Sequence, residues 1–320
     1  MTWKLYEDDC LKILPTIPEN SIDLIILDPP YNIGKDTWDK FPSHEEYLIF
    51  IRKVLVESER VLRDNGSLYI YHNQFKSLRD FDCLIEENTR LIHKSLITIK
   101  KTSNNYIKDR FSCQEHFRNY LNEAEYLLFY TFQDETGLTT IKLDRNNFTS
   151  LRQYFKDFQE ALGMSLPEIN RTLGHRRAEH WFYWKSTQWD LPTRETYEEL
   201  LKLPLKNYDF IRKDYEELRE EYEELRYTFN ETKGKSNVWE YKFRVDKRTH
   251  PTQKPINMSE DIIKASSKPN DTILIPFAGS GSELIAATNL NRKAIGIEQN
   301  PTYCKTIRNR LKEETSQTKL

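Results

Sequence analysis

Residues 21–36, SIDLIILDPPYNIGKD, constrain the fold more than any other stretch of the chain. Ile22, Leu24, Ile25, Ile26 and Leu27 are interrupted only by Asp23. So dense an apolar, β-branched run is what a strand covered on both faces carries. Pro29 and Pro30 then end it, because neither has an N–H for the sheet ladder and each locks its φ. A buried strand thus finishes by holding out an acid, Asp28, and an aromatic ring, Tyr31, on a stiff double-proline turn.

Around that strand, helix-like and strand-like segments alternate over the first 130 residues. WKLY, SLYIYH, LIHKSLITIK and EYLLFYT are strands, and CLKIL is a short helix. Ser43 and Glu46 have capping-box spacing. Tyr47, Phe50, Ile51, Val54, Leu55, Val61 and Leu62 follow on one helical face until RDNG stops the helix. The alternation resumes near Thr272 with TILI, SELIAATNL, AIGI and a last helix opened by Asn300 and Pro301. This pattern predicts an α/β domain with a parallel sheet, assembled from both ends of the chain.

Residues 134–240 break the pattern. They are irregular, charged and aromatic, and DYEELRE and EYEELRY follow each other at 214–227. Ile211, Tyr215, Leu218, Tyr222, Leu225 and Phe229 form one apolar stripe, which predicts an amphipathic helix packed on its own domain, with a dimer coiled coil as the alternative. The expected organisation is therefore residues 1–133 and 241–320 as two halves of one domain, with 134–240 inserted. A chain of 320 residues has ample core for both.

The totals narrow the class. Cys10, Cys83, Cys113 and Cys304 show no CxxC spacing and read as reduced thiols. No stretch approaches the ~20 apolar residues of a membrane helix. The N-terminus MTWKLYEDDCLKIL lacks the apolar core of a secretory signal. A cytoplasmic protein with no membrane partner is expected. The formal net charge of -2 leaves nucleic acid open, since local patches decide that binding.

Two of the nine glycines stand in FAGSG, 277–281, between the strand TILI and a helix. Glycines there let the backbone approach a ligand, and the helix N-terminus adds free N–H donors. Glu298 ends the next strand, at the spacing of an acid that holds ribose hydroxyls. HPTQKP, 250–255, is a stiff polar loop ahead of the helix that leads to TILI.

Together, DPPY at 28–31, HPTQKP at 250–255, FAGSG at 277–281 and GIE ending at Glu298 resemble, in order and spacing, the bacterial DNA amino-methyltransferases of the beta group. The resemblance covers about residues 3–130 and 235–312. It implies a circularly permuted Rossmann-like fold with an inserted target-recognition region. It also implies S-adenosylmethionine as cofactor and methylation of a base amine flipped out of duplex DNA. Asp28, Pro29, Pro30 and Tyr31 would be catalytic. The Asp28 carboxylate and the Pro29 carbonyl would accept the amine hydrogens, restoring electron density to a nitrogen whose lone pair is delocalised, and Tyr31 would stack on the base.

By the same resemblance the cofactor would lie against Asp9, Cys10, Thr252, Gln253, Lys254, Phe277, Ala278, Gly279, Ser280, Gly281 and Glu298. Two positions depart from the family: Asp8 replaces a glycine, and Ile275 replaces the usual aspartate before PF. The acid of DPPY leans to adenine N6, where cytosine-N4 enzymes more often carry serine. The family also implies a restriction-modification role with a cognate restriction endonuclease, and its members often form homodimers.

DNA contacts have to come from basic and aromatic groups. The candidates are Lys100 and Lys101, then Arg176, Arg177 and Lys185 beside three tryptophans in LGHRRAEHWFYWKSTQW, then Lys233 and Lys235. His175 and His180 have no third ligand nearby in sequence, so no metal is expected. The rival readings are cytosine-N4 methylation, a non-catalytic relic suggested by Ile275, and a nicotinamide-dependent oxidoreductase suggested by FAGSG alone.

Overall fold

A computed structural model describes residues 3–34, 39–102, 124–132, 148–183, 189–225, 229, 235–243 and 253–317. The chain divides into two compact units, Met1–Phe132 with Thr228–Leu320, and Gln133–Tyr227.

The first unit is built on one eight-stranded sheet. In chain order its strands are β1 (Trp3–Tyr6), β2 (Ile22–Leu27), β3 (Leu62–His72), β4 (Ile92–Thr102), β5 (Ala124–Thr131), β6 (Val238–Lys242), β7 (Thr272–Ile275) and β8 (Lys293–Ile297). Across the sheet they run β1-β8-β7-β2-β3-β5-β4-β6. β2 is interior, with Ile25 paired to Leu274 on one side and Leu68 on the other. Ile22 and Leu24 to Leu27 are all buried, as a strand covered on both faces requires. The chain leaves β7 toward β8 and β2 toward β3, in opposite directions across the sheet. That reversal opens a crevice at the carboxyl ends of β7 and β2, where doubly wound sheets bind ligands. The glycine-turn half comes last in the chain yet sits beside the DPPY half, which is the permuted order.

Three details differ from the sequence reading. β1, β8, β7, β2 and β3 are parallel, but β5 runs antiparallel to both β3 and β4. β5 lies between those two and pairs in the antiparallel pattern along both of its edges. RDNG also does not follow the helix His44–Val61 as a turn, because β3 starts at Leu62 and runs through it. The ladder absorbs the extra residues as a bulge: Ile22 pairs with Leu62, but Leu24 pairs with Ser67. Finally, β6 pairs with β4 from Thr98–Val238 to Thr102–Lys242, so residues 238–240 belong to the sheet and not to the insertion. Trp239 and Tyr241 are buried while Val238 and Glu240 are exposed, the alternation of a strand with one covered face.

The second unit has a core of its own. Helices Thr149–Leu162, Leu166–Leu173, Ala178–Phe182, Arg194–Leu201 and Tyr215–Leu225 surround Phe148, Phe155, Phe158, Trp181, Phe182, Trp189 and Tyr197. The tandem repeat forms the last of these helices and packs Tyr215, Leu218 and Tyr222 on that core. Ile211 is 85% exposed and outside the stripe, because Asp214 caps the helix by accepting from the Glu217 N–H at 2.8 Å. Phe229 stacks instead on Phe129 of β5, ring centroids 5.8 Å apart.

Candidate active site

At the end of β2 the Tyr31 hydroxyl donates to Asp28 Oδ1 at 2.8 Å. Lys254 Nζ donates to the same oxygen at 3.0 Å and to the Tyr31 hydroxyl at 3.1 Å. The Lys254 side chain is buried, and its ammonium also lies 3.4 Å from Oε2 of Glu125 on β5. Lys101 Nζ pairs with Glu125 Oε1 at 2.6 Å. Negative and positive charges therefore alternate from Asp28 through Lys254 and Glu125 to Lys101. Burial alone would lower the Lys254 pKa, but Asp28 and Glu125 outweigh it and hold the ammonium above its ordinary value. Burial would likewise raise Glu125, yet Lys254 and Lys101 keep it below the usual carboxylate range. Tyr31 is pushed up by burial and by Asp28, so it remains a phenol that donates.

A second set of bonds clamps the prolines. The Tyr47 hydroxyl donates to the Pro30 carbonyl at 2.7 Å and lies 3.4 Å from His72 Nε2. His72 Nδ1 accepts from the Gln74 N–H at 3.0 Å, so Nε2 carries the ring proton and points it at Tyr47. Burial pulls His72 down to about 4, leaving the ring neutral. The Tyr31 ring leans on the His72 ring with centroids 4.5 Å apart. Tyr31 is itself buried, so the side facing His72 is covered. Asp39, also buried, accepts from the N–H groups of Asn32 and Ile33 at 2.8 and 3.2 Å and ties down the loop that follows.

Across the crevice, FAGSG turns from β7 into the helix Ser282–Asn289. Gly279 and Gly281 have φ of 48° and 80°, and a Cβ on Gly281 would meet Ile307 at 3.0 Å. Glu298, beyond β8, accepts from the Gly279 N–H through Oε2 and from the Asn300 N–H through Oε1, both at 2.8 Å. The acid expected at a ribose thus also braces the turn, and burial raises its pKa. Asp9 caps the short helix Cys10–Ile13 by accepting from the Leu11 N–H at 2.9 Å. Burial pushes the Cys10 thiol far up, so it is no nucleophile.

These pieces enclose one cavity of about 270 Å³. Asp9, Cys10, Asp28, Pro29, Pro30, Tyr31, Lys254, Phe277, Ala278, Gly279, Ser280 and Glu298 all line it. Gly281 and Gln253 do not, and Thr252 lies outside the described residues. Lys254, expected at the cofactor, has its ammonium committed to Asp28 and Glu125. The lining adds residues that sequence reasoning missed: Asp39, Phe41, Phe50, Glu283 and Tyr303. Glu283 is the second residue of the helix after the glycine turn, where an acid is ordinary.

The expected DNA contacts separate. Lys101 belongs to the buried charge chain, and its side chain is 19% exposed. Lys235 pairs with Asp261 at 2.7 Å and lies 4.1 Å over the Trp239 ring. Lys100 is exposed, 3.8 Å from Glu240. In the second unit Arg176 and Arg177 are exposed, and Arg176 lines an open groove with Arg171 and His175. Trp181 and Trp189 are core residues, the Trp189 indole donating to the Trp181 carbonyl at 2.9 Å. Trp184, Lys185 and Lys233 lie outside the described residues. No helix among the described residues is long and apolar enough to cross a membrane.

Residues 22–309 match the N6_N4_Mtase family model, described as DNA methylase. The chain belongs to that family. The methylase is similar to the Type II methyltransferase M.HpaI of Haemophilus parainfluenzae, 27% identical over 98% of this chain and 76% of the relative. Its fold is that of solved DNA methyltransferases. An M1.HpyAVI–SAM complex aligns with TM-score 0.53 and 19% identity, covering 97% of this chain and 98% of the other. The PvuII cytosine-N4-specific DNA methyltransferase aligns with TM-score 0.57 and 13% identity, covering 99% and 91%.

Proposed function

We propose that this methylase transfers a methyl group from S-adenosylmethionine to the exocyclic N6 amine of an adenine turned out of duplex DNA. The observation that carries the reading is the Asp28 carboxylate, held by Tyr31 and Lys254 at the lip of a cavity whose far wall is the Gly279–Glu298 turn.

The donor set fits such a cofactor. Asp8, Asp9, Asp28, Asp39, Glu283 and Glu298 line the cavity against only Lys40 and Lys254 among the described residues. Six acids against two ammonium groups suit a cationic ligand and oppose the pyrophosphate of a nicotinamide dinucleotide. Phe41, Phe50 and Phe277 supply apolar walls for a purine, Glu298 an acceptor for ribose hydroxyls, and the Gly279–Gly281 turn a close backbone approach. When bound, S-adenosylmethionine supplies a methyl group on a positively charged sulfur.

The chain's own part is to make a poor nucleophile attack. Asp28 and the Pro29 carbonyl accept the amine hydrogens, and the developing positive charge on the nitrogen strengthens those bonds in the transition state. Tyr31 and Lys254 fix the carboxylate, while Tyr47 and His72 fix the proline turn, so little reorganisation is left to the reacting complex. An acid at position 28, rather than serine, supports adenine over cytosine as the base. The second unit, with Arg176 and Arg177 exposed, is our choice for reading the DNA sequence. The kinship with a Type II methyltransferase supports a modification role beside a restriction endonuclease, inside the cell. Sequencing the DNA of a host expressing the chain, with detection of modified bases, tests this. N6-methyladenine at one recurrent sequence is expected, and unmodified DNA would refute it.

A further inference from the structure

Glu283 lines the cavity yet is only 5% exposed. Its Oε1 accepts from the Ser259 hydroxyl at 3.2 Å, a neutral partner, and no salt bridge reaches it among the described residues. The ammonium of Lys254 is shared between Asp28 and Glu125, and Glu125 has Lys101 besides. Three carboxylates (Asp28, Glu125 and Glu283) thus face two ammonium groups, leaving one negative charge in excess beside the cavity. A buried carboxylate without a cation is costly, and a cationic ligand would relieve it. The end of β7 offers no alternative, since Ile275 there is fully buried and apolar.

We propose that Glu283 receives the α-ammonium group of S-adenosylmethionine's amino-acid end, doing from the first turn of the helix what Ile275 cannot do from the strand. The assignment rests on the methyltransferase reading above. Burial, and then the neighbouring Asp28, pushes Glu283 up to about 6. The other groups facing it are Lys254, Ser259 and the neutral Tyr71 phenol of β3. An ammonium beside Glu283 favours its ionised form, so binding near pH 6 releases a proton, and affinity falls as the pH drops further.

The test is calorimetric titration of the whole purified chain with S-adenosylmethionine, in buffers of different ionisation enthalpy, at pH near 6 and at about pH 8. The unaltered chain should release a fraction of a proton near pH 6 and none at about pH 8, where holding the α-amine as an ammonium instead takes a proton up. Glu283→Gln should abolish the release and weaken S-adenosylmethionine roughly tenfold to a hundredfold. The same variant should bind methylthioadenosine, which lacks the amino-acid end, as the unaltered chain does. No proton release by the unaltered chain, or equal weakening of both ligands by the variant, overturns the assignment. Failure of the unaltered chain to bind S-adenosylmethionine at any pH overturns the methyltransferase reading itself, and this assignment with it.

Discussion

Lys254 Nζ stands 3.0 Å from Asp28 Oδ1, though 226 residues of chain separate them. The contact ties the loop ahead of the glycine-turn half to the end of β2, and so joins the two halves of the permuted domain at the carboxylate proposed to act on the base amine. A buried ion pair adds little net stability over an apolar pair of the same shape. Its presence here is better explained by what it does to Asp28: one carboxylate oxygen is pinned, which sets the direction of the other.

Removing the ammonium should therefore be felt throughout the unit. Lys254→Met leaves Asp28 and Glu125 without their shared cation, and breaking a buried pair from one side typically costs about 3–5 kcal/mol. Chemical denaturation should show a loss of that order. A variant as stable as the unaltered chain would mean that water already compensates these acids.

Asp28→Ala should stop methylation while leaving S-adenosylmethionine and DNA affinities within about tenfold. In the proposed reaction Asp28 acts mainly on the amine in the transition state, and such losses fall on turnover more than on binding. Single-turnover rates and equilibrium binding measured on one preparation separate the two. Retention of most of the rate would remove Asp28 from the chemistry.

His72 should make stability depend on pH. Its ordinary value is 6.5, and burial holds it at about 4 in the folded chain. The folded state then binds fewer protons than the unfolded one between those values. The contribution is present above pH 6.5 and is lost as the pH falls toward 4, by up to about 3 kcal/mol. Glu283, raised to about 6, works with the opposite sign over part of that range, so the comparison must be with a His72→Asn chain. The difference in unfolding free energy between the two chains should shrink as the medium is acidified. A difference independent of pH would contradict the buried neutral ring.

How much of this was legible beforehand follows from the range of each interaction. DPPY and FAGSG stand out because prolines and glycines punctuate strand ends locally, and β2 advertises its burial by composition. The antiparallel β5 and the late strand β6 depend on pairing partners far away in sequence, which no local pattern encodes. Lys101 and Lys235 looked like surface cations until the fold brought Glu125 and Asp261 to them. Trp181 and Trp189 looked like DNA contacts because aromatic and basic residues cluster there, and composition cannot tell a small unit's core from its surface. Glu283 stands in a first helical turn, where an acid is ordinary, so nothing local marks it. Only the fold shows that it lines the cavity.

Sequence selection should lie in the second unit. Arg176→Ala with Arg177→Ala is expected to weaken DNA binding, and any base-reading member of the pair should relax specificity by ~1–3 kcal/mol. Stability should hardly change, since both residues are exposed. Competition binding with cognate and scrambled duplexes measures both effects. Undiminished binding and an unchanged target would assign the reading elsewhere.

The most direct measurement is nucleoside mass spectrometry of duplex DNA treated with the purified chain and methyl-labelled S-adenosylmethionine. The label should appear in N6-methyldeoxyadenosine, and the Asp28→Ala chain should yield none. Label in N4-methyldeoxycytidine alone would contradict adenine as the target, and no labelled nucleoside at all would contradict the transfer.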